Sequence, residues 1–320
     1  MYTDLPDTEL WHHRSNHAEP ADFDAFWTRT LDEARVHDVA PRLTAVASPL
    51  TTLEVHDAVF PGFGGEPIRA WYRRPAGVDR PLPVVVQYVG YGGGRGSHLE
   101  NLLWASAGYA HLQMDTRGQG ATWSRGDTPD LWGSGPQVPG VMTRGIEDPE
   151  QYYYRRLYTD GVRAVDAARR LPGVDPDRVA VLGQSQGGAI ALAVGGLVPD
   201  LAAVVSLVPF LCDIARAIVI TDEYPFREVT DYLATHRDKV DAALRTLAYV
   251  DGTHFARRSH APARFSAALM DAVVPPSTVF AAHNVYAGPK EMRVWPYNGH
   301  EAGAAHDDAE ALGFLARTLA

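Results

Sequence analysis

The 320-residue chain has a single cysteine, Cys212. No intrachain disulfide can form, and no thiolate metal cluster is available. A lone cysteine in an apolar segment reads as a small buried hydrophobe. Basic residues are also in deficit, with 29 Lys and Arg against 39 Asp and Glu, a formal charge of −10. Such a surface repels nucleic acid and acidic membranes, so neither is expected as a partner. A membrane-spanning run is missing too. The most apolar segment, 201–212, is too short to cross a bilayer and is flanked by Asp200 and Asp213. The first twenty residues, MYTDLPDTELWHHRSNHAEP, contain no basic stretch leading into an apolar one. A secretory leader is therefore not expected, and the default location is cytoplasmic. There is no HExxH, no GxGxxG after a first strand and no Walker loop, so no metal and no organic cofactor is expected.

What is present is an ordinary globular composition, 46% hydrophobic and 21% charged, in a chain long enough for one large core. Residues 19–36, EPADFDAFWTRTLDEARV, place Phe23, Phe26, Trp27 and Leu31 on one helical face. Residues 43–74 alternate with period two around the turn PGFGGEP, as antiparallel strands do. From Pro83 the pattern changes to short, continuous apolar runs: PVVVQYV, YAHLQMD, RVAVLGQ, AAVVSLVPF, ARFSAALMD and KEMRVWPY. Such runs suit strands buried on both faces. Helical stretches at 158–171, 186–197 and 305–319 lie among them. The alternation predicts one α/β domain over 1–320, with a doubly wound, mostly parallel sheet opened by N-terminal antiparallel strands. Three decorations are expected: an N-terminal helical extension (1–36), an aromatic loop insertion (116–157) and a helical insertion (213–260).

The stretch VLGQSQGGAIALAV (181–194) sets Ser185 between Gly183 and Gly187. A Gly-x-Ser-x-Gly match alone describes many glycine-rich turns with an idle serine. Here an apolar strand pattern precedes it and a small-residue helical pattern follows, the strand–turn–helix context of a nucleophile elbow. A serine hydroxyl needs a base to take its proton. In α/β-hydrolases the acid and the histidine follow the serine in that order. Of the 13 histidines, His300 stands in a short loop, YNGHEAG, just after a strand-like run. His283 and His306 fall in helical patterns. The acid that ends a preceding apolar run is Asp271, placed to hold the imidazole tautomer; Asp251, with no strand before it, is the alternative. The expected oxyanion donors are the backbone N–H groups of Gln186, after the serine, and Tyr91, in the loop VGYGGGRG. The same three residues could serve cleavage of a peptide, thioester or lactone, and a non-catalytic carbohydrate-binding protein could retain the fold.

Longer motifs narrow this range. GYGGGRG (90–96), MDTRGQG (114–120), GDTPD (126–130), PGVMTRGIEDPEQYYYRR (139–156), GQSQGGAIALAV (183–194), MDAVVPPSTVFAAHNVYAGPKE (270–291) and YNGHEAG (297–303) together resemble the acetyl xylan esterases and cephalosporin C deacetylases of carbohydrate esterase family 7. The resemblance runs through nearly the whole chain. It implies an α/β-hydrolase that deacetylates small esters, including acetylated xylo-oligosaccharides and cephalosporin C, with Ser185, Asp271 and His300 as the triad. It also implies a homohexamer, with 116–157 as assembly surface, and places Phe210, Tyr224 and Pro225 around the acyl group. Asp115 and Arg117 match the signature MDTRGQG, where they are expected to hold loops beside the site. The chain departs from the family pattern at Val89 (commonly His), Gly92 (Asn), Gln184 (Gly), Gly299 (Asn) and Ala302 (Gly).

Overall fold

The computed structural model describes residues 4–133 and 135–320. Nine strands, β1 (Arg42–Ala45), β2 (Leu53–Pro61), β3 (Pro67–Pro75), β4 (Leu82–Tyr88), β5 (Ala110–Met114), β6 (Val174–Gln184), β7 (Ala203–Leu207), β8 (Ala263–Ala268) and β9 (Lys290–Trp295), form one sheet. Their order is β1-β2-β3-β5-β4-β6-β7-β8-β9. The pairings β1–β2, β2–β3 and β3–β5 are antiparallel, and those from β5 through β4 to β9 are parallel. This is the doubly wound α/β-hydrolase sheet that the alternation of runs predicts.

The valine run of β4 shows why the sheet is covered on both faces. Side chains alternate along a strand. Val84 and Val86 join the larger core with helices Tyr153–Ala168 and Gln186–Leu197, whereas Val85 packs with Trp104, Phe314 and Leu315 on the other face. Helix Phe23–Arg35 buries Phe23, Phe26, Trp27 and Leu31 as its periodicity implies. It is tied to the body by Trp27 Nε1 donating to the Tyr249 carbonyl at 2.9 Å and by Arg155 Nη2 donating to Glu33 at 2.9 Å.

The two insertions differ in kind. Segment 213–260 carries helices Ile214–Ile220, Phe226–Thr235, Val240–Ala248 and Gly252–Ala256, as expected. The described residues of segment 116–157 are irregular until the last ones, which enter helix Tyr153–Ala168. The segment's aromatic residues divide between interior and surface. Tyr152, Tyr153 and Tyr154 are fully buried, because their hydroxyls find acceptors inside: the Met142 carbonyl (2.9 Å), the Arg117 carbonyl (2.6 Å) and Gln186 Oε1 (3.1 Å). Trp123, Leu131 and Trp132 remain exposed.

A buried ion cluster fastens this loop to the core. Arg117 is fully enclosed and donates to both oxygens of Asp160 (2.5 and 2.8 Å) and to Glu66 (2.6 Å). Burial raises the Asp160 carboxyl above its ordinary value even with the Arg117 charge opposing. Removing one partner of such a pair strands the other's charge in a medium that solvates it poorly. Arg117→Met is therefore expected to lower unfolding free energy by about 3–5 kcal/mol, measured by urea denaturation. Arg117→Met combined with Asp160→Leu should recover part of that loss.

Candidate active site

Strand β6 ends at Gln184, and helix Gln186–Leu197 begins one residue beyond Ser185. Ser185 makes that reversal alone, with φ 56° and ψ −120°. This is a positive-φ conformation that costs a non-glycine residue of order 1–3 kcal/mol and persists only where the surroundings enforce it. They do so through hydrogen bonds from Ser185 N to the Leu207 carbonyl (2.9 Å) and to the Ser185 carbonyl from Phe210 N (3.1 Å). The turn also demands bare neighbours. A Cβ on Gly183 would lie 2.2 Å from the Gly187 carbonyl carbon, and one on Gly187 would lie 2.3 Å from the Tyr88 oxygen.

The side chains brought to this turn come from distant parts of the chain. His300 Nε2 is 2.9 Å from Ser185 Oγ, and His300 Nδ1 is 2.8 Å from Asp271 Oδ2. Asp271 is fully buried, and its Oδ1 accepts from Val273 N and Val274 N, both at 2.9 Å. The carboxylate is thus oriented by its own turn, and it presents its second oxygen to the imidazole. Asp251, the alternative acid, does not meet His300. It is engaged instead with Asp213 N (3.1 Å), Ile214 N (2.8 Å) and Thr253 N (2.9 Å), inside the helical insertion. His283 lies in helix Pro276–Val285 and His306 in helix Ala305–Thr318.

Ser185 and His300 open on a cavity of about 730 Å³ whose wall includes Gly90, Tyr91, Trp123, Tyr224, Pro225 and Val273. Phe210, expected beside Tyr224 and Pro225, is not on that wall. It is buried behind it, its ring 6.3 Å from Tyr91 and 4.3 Å from Phe226. Val89 and Gln184, two of the departures from the family pattern, also line the cavity. The N–H of Gln186 heads its helix, where the first amides have no carbonyl of that helix to bond and carry the positive end of its dipole.

The loop bearing Tyr91 is held by groups from both insertions. Tyr91 Oη donates to Glu228 (2.6 Å) and accepts from Val141 N (2.7 Å), while Met142 N donates to the second oxygen of Glu228 (3.0 Å). Gln119 accepts from Gly92 N (2.6 Å) and donates to Gln186 Oε1 (2.9 Å), and Gln186 Nε2 donates to the Val89 carbonyl (3.2 Å). One amide network therefore joins the two segments that carry the expected oxyanion donors. Asp115 accepts from Arg95 N (2.8 Å) and Asp127 N (2.6 Å), so it and Arg117 hold loops beside the cavity. Glu228 and Gln119 stand far from the triad in sequence, inside the two insertions. Gln119 falls inside the motif MDTRGQG, whereas the only visible signal for Glu228 is an insertion longer than a plain connection requires.

With this geometry in place, comparison with known proteins is decisive at family level. The chain matches the acetyl xylan esterase (AXE1) family over residues 1–318. It belongs to that family. It is similar in structure to the acetyl xylan esterase from Paenibacillus sp. R4 (36% identity, TM-score 0.93, covering 98% of this chain and 100% of that one). It is likewise similar to acetyl xylan esterase 1 from Thermoanaerobacterium sp. JW/SL YS485 (32% identity, TM-score 0.90, 99% and 100%). In sequence it is 29% identical over 285 residues to the acetyl esterase Axe7A of Xylanibacter ruminicola, covering 88% of this chain. The match spans 63% of that relative's length.

Burial lifts the Glu228 carboxyl above its ordinary value of 4.5, with the hydrogen bonds from Tyr91, Met142 and Val141 opposing. A carboxyl raised in the folded state holds its proton more tightly there than in the unfolded chain. Its contribution to stability is present below about pH 4.5 and is lost as pH rises through the raised value. Glu228→Gln should remove this dependence. Urea midpoints measured from pH 4.5 upward should therefore move against the wild type relative to the variant.

Proposed function

We propose that this member of the acetyl xylan esterase family is a serine esterase that releases acetate from small acetyl esters, acetylated xylo-oligosaccharides and cephalosporin C among them. The observation that carries the proposal is the hydrogen-bonded line from Asp271 through His300 to Ser185, opening on a cavity. His300, oriented by Asp271, takes the hydroxyl proton as Ser185 Oγ attacks the acetyl carbonyl carbon. The carbonyl electron pair moves to oxygen, which rests on the N–H groups of Tyr91 and Gln186. As the tetrahedral species collapses, the carbon–alkoxy bond breaks and His300 gives its proton to the leaving alcohol. Water then attacks the acetyl-serine with His300 again as base, the serine regains its proton, and acetate leaves.

Tyr224, Pro225 and Val273 line the cavity on which Ser185 opens, and we infer that they contact the acyl group. An acyl site closed by such side chains would admit a methyl group and penalise longer acyl chains by overpacking. None of these steps calls on a metal or an organic cofactor. The location we infer is cytoplasmic, consistent with the buried, unpaired Cys212; among the described residues no helix is long and apolar enough to cross a membrane. The assembly we infer is a homohexamer, for which exposed Leu131, Trp132, Val219 and Tyr297 supply apolar surface.

Acetate release from cephalosporin C and acetylated xylobiose, measured for the wild type and Ser185→Ala together, tests the chemistry. The variant should lose activity by at least roughly 10³-fold; wild-type rates in the variant would remove Ser185 from the mechanism. Light scattering on the eluted protein should give six times the 34.9 kDa chain mass, and a monomer would rule the hexamer out.

A further inference from the structure

A second cavity, of about 710 Å³, adjoins the first and shares Trp123 and Ser124 with it. The two differ in chemistry. The wall of the second carries three carboxylates, Asp57, Glu100 and Asp127, and three guanidinium groups, on Arg69, Arg95 and Arg125. The charges are largely paired: Arg69 and Arg95 with Asp57 (3.1 and 2.7 Å), and Arg95 and Arg125 with Asp127 (3.1 and 2.7 Å). Equal numbers of each sign select neither an anion nor a cation, while the fixed forks and carboxylate edges offer many hydrogen-bonding positions. His98 lies on the same wall, and its Nε2 atom is buried without a hydrogen-bond partner among the described residues.

Trp123 forms the partition between the cavities. It is 63% exposed, yet it is not loose, because its Nε1 donates to the Tyr91 carbonyl at 2.7 Å. Close beneath the indole lies Gly93, where a Cβ would come within 2.2 Å of the ring. The indole is thus fixed by one edge while much of its surface stays open to solvent, an aromatic plane held in place and free to take a flat apolar partner. The ring of Trp71, by contrast, is already covered by the Arg95 guanidinium at 4.0 Å.

We infer that the second cavity is a saccharide subsite, in which Trp123 stacks on the apolar C–H face of a sugar next to the acetylated one and the paired charges bind its hydroxyl groups. A neutral, hydroxyl-rich ring with one apolar face matches both the balanced charge and the exposed aromatic plane. The inference rests on the acetyl-sugar reading above and extends it: esters of two or more linked sugars are preferred over the acetate of a single sugar. Trp123 acts as a positioning residue for the alcohol part of the ester, remote from the bonds that change.

The test measures kcat/KM for mono-O-acetylated xylose, xylobiose and xylotriose and for 4-nitrophenyl acetate, in the wild type, Trp123→Ala, Trp123→Phe and Arg125→Ala. Arg125 lies on the second cavity and not on the first, so it probes the subsite away from the indole. The wild type should favour the longer sugars. Trp123→Ala and Arg125→Ala should each reduce the ratio of xylotriose ester to 4-nitrophenyl acetate, by roughly three- to tenfold for the indole. Trp123→Phe, which keeps a ring, should retain part of the preference. A wild type indifferent to sugar length overturns the inference. So does an equal loss on all four esters, which would mark Trp123 as a support for the Tyr91 loop alone. If 4-nitrophenyl acetate is cleaved but no acetylated sugar is, the acetyl-sugar reading fails, and the subsite fails with it.

Discussion

Ser185 holds a positive φ that its side chain disfavours, and much of the surrounding structure is organised so that this one residue can stay there. The strain is local, but its enforcement is not. It requires β7 to supply the Leu207 carbonyl, the segment after β7 to return Phe210 N, and bare glycines at 183 and 187 so that β6, β4 and the following helix can close on one another. With the backbone forced round, the hydroxyl stands clear of the sheet and the first turn of helix Gln186–Leu197 points its amides at the same space. A relaxed serine in a wider turn would not bring hydroxyl and helix end to a single point.

A second constraint acts on the opposite side of the cavity. The loop 90–96 is rich in glycine and cannot hold its own shape, so its shape comes from polar partners on other segments. Glu228 reaches it from one insertion, Gln119 and Trp123 from the other, and Arg117 with Asp160 fastens that other insertion to the core. Such groups are costly to bury and gain their value only as a complete set. The insertions are therefore part of how the cavity is built. The helical one delivers a carboxylate, and the irregular one delivers an amide, an indole and the cation that anchors it.

Much of this was readable from residue order. The apolar runs, the elbow, the strand-end position of Asp271 and the loop position of His300 all rest on short-range pattern, which backbone periodicity and turn chemistry impose wherever the chain lies. The burial of Tyr152, Tyr153 and Tyr154 is not legible in the sequence, because a run of tyrosines has no period of its own. Whether a phenol is buried depends on an acceptor elsewhere in the chain, here the Met142 and Arg117 carbonyls and Gln186. Phe210, which the family resemblance sets around the acyl group, is buried off the cavity wall beside Tyr91 and Phe226, a placement that only packing decides.

By itself, then, the sequence determined the sheet, the turn that carries Ser185 and the family to which the chain belongs. Each of these is written in neighbouring residues and their spacing. Only the tertiary structure decided that Asp271 and not Asp251 faces His300, that Glu228 and Gln119 stand behind the glycine loop, and that Trp123 divides two cavities of unlike chemistry. Those facts are pairings across more than a hundred residues or between separate loops. Hydrogen bonds and ion pairs of that range leave no periodic trace along the chain, because their partners are chosen by distance in space.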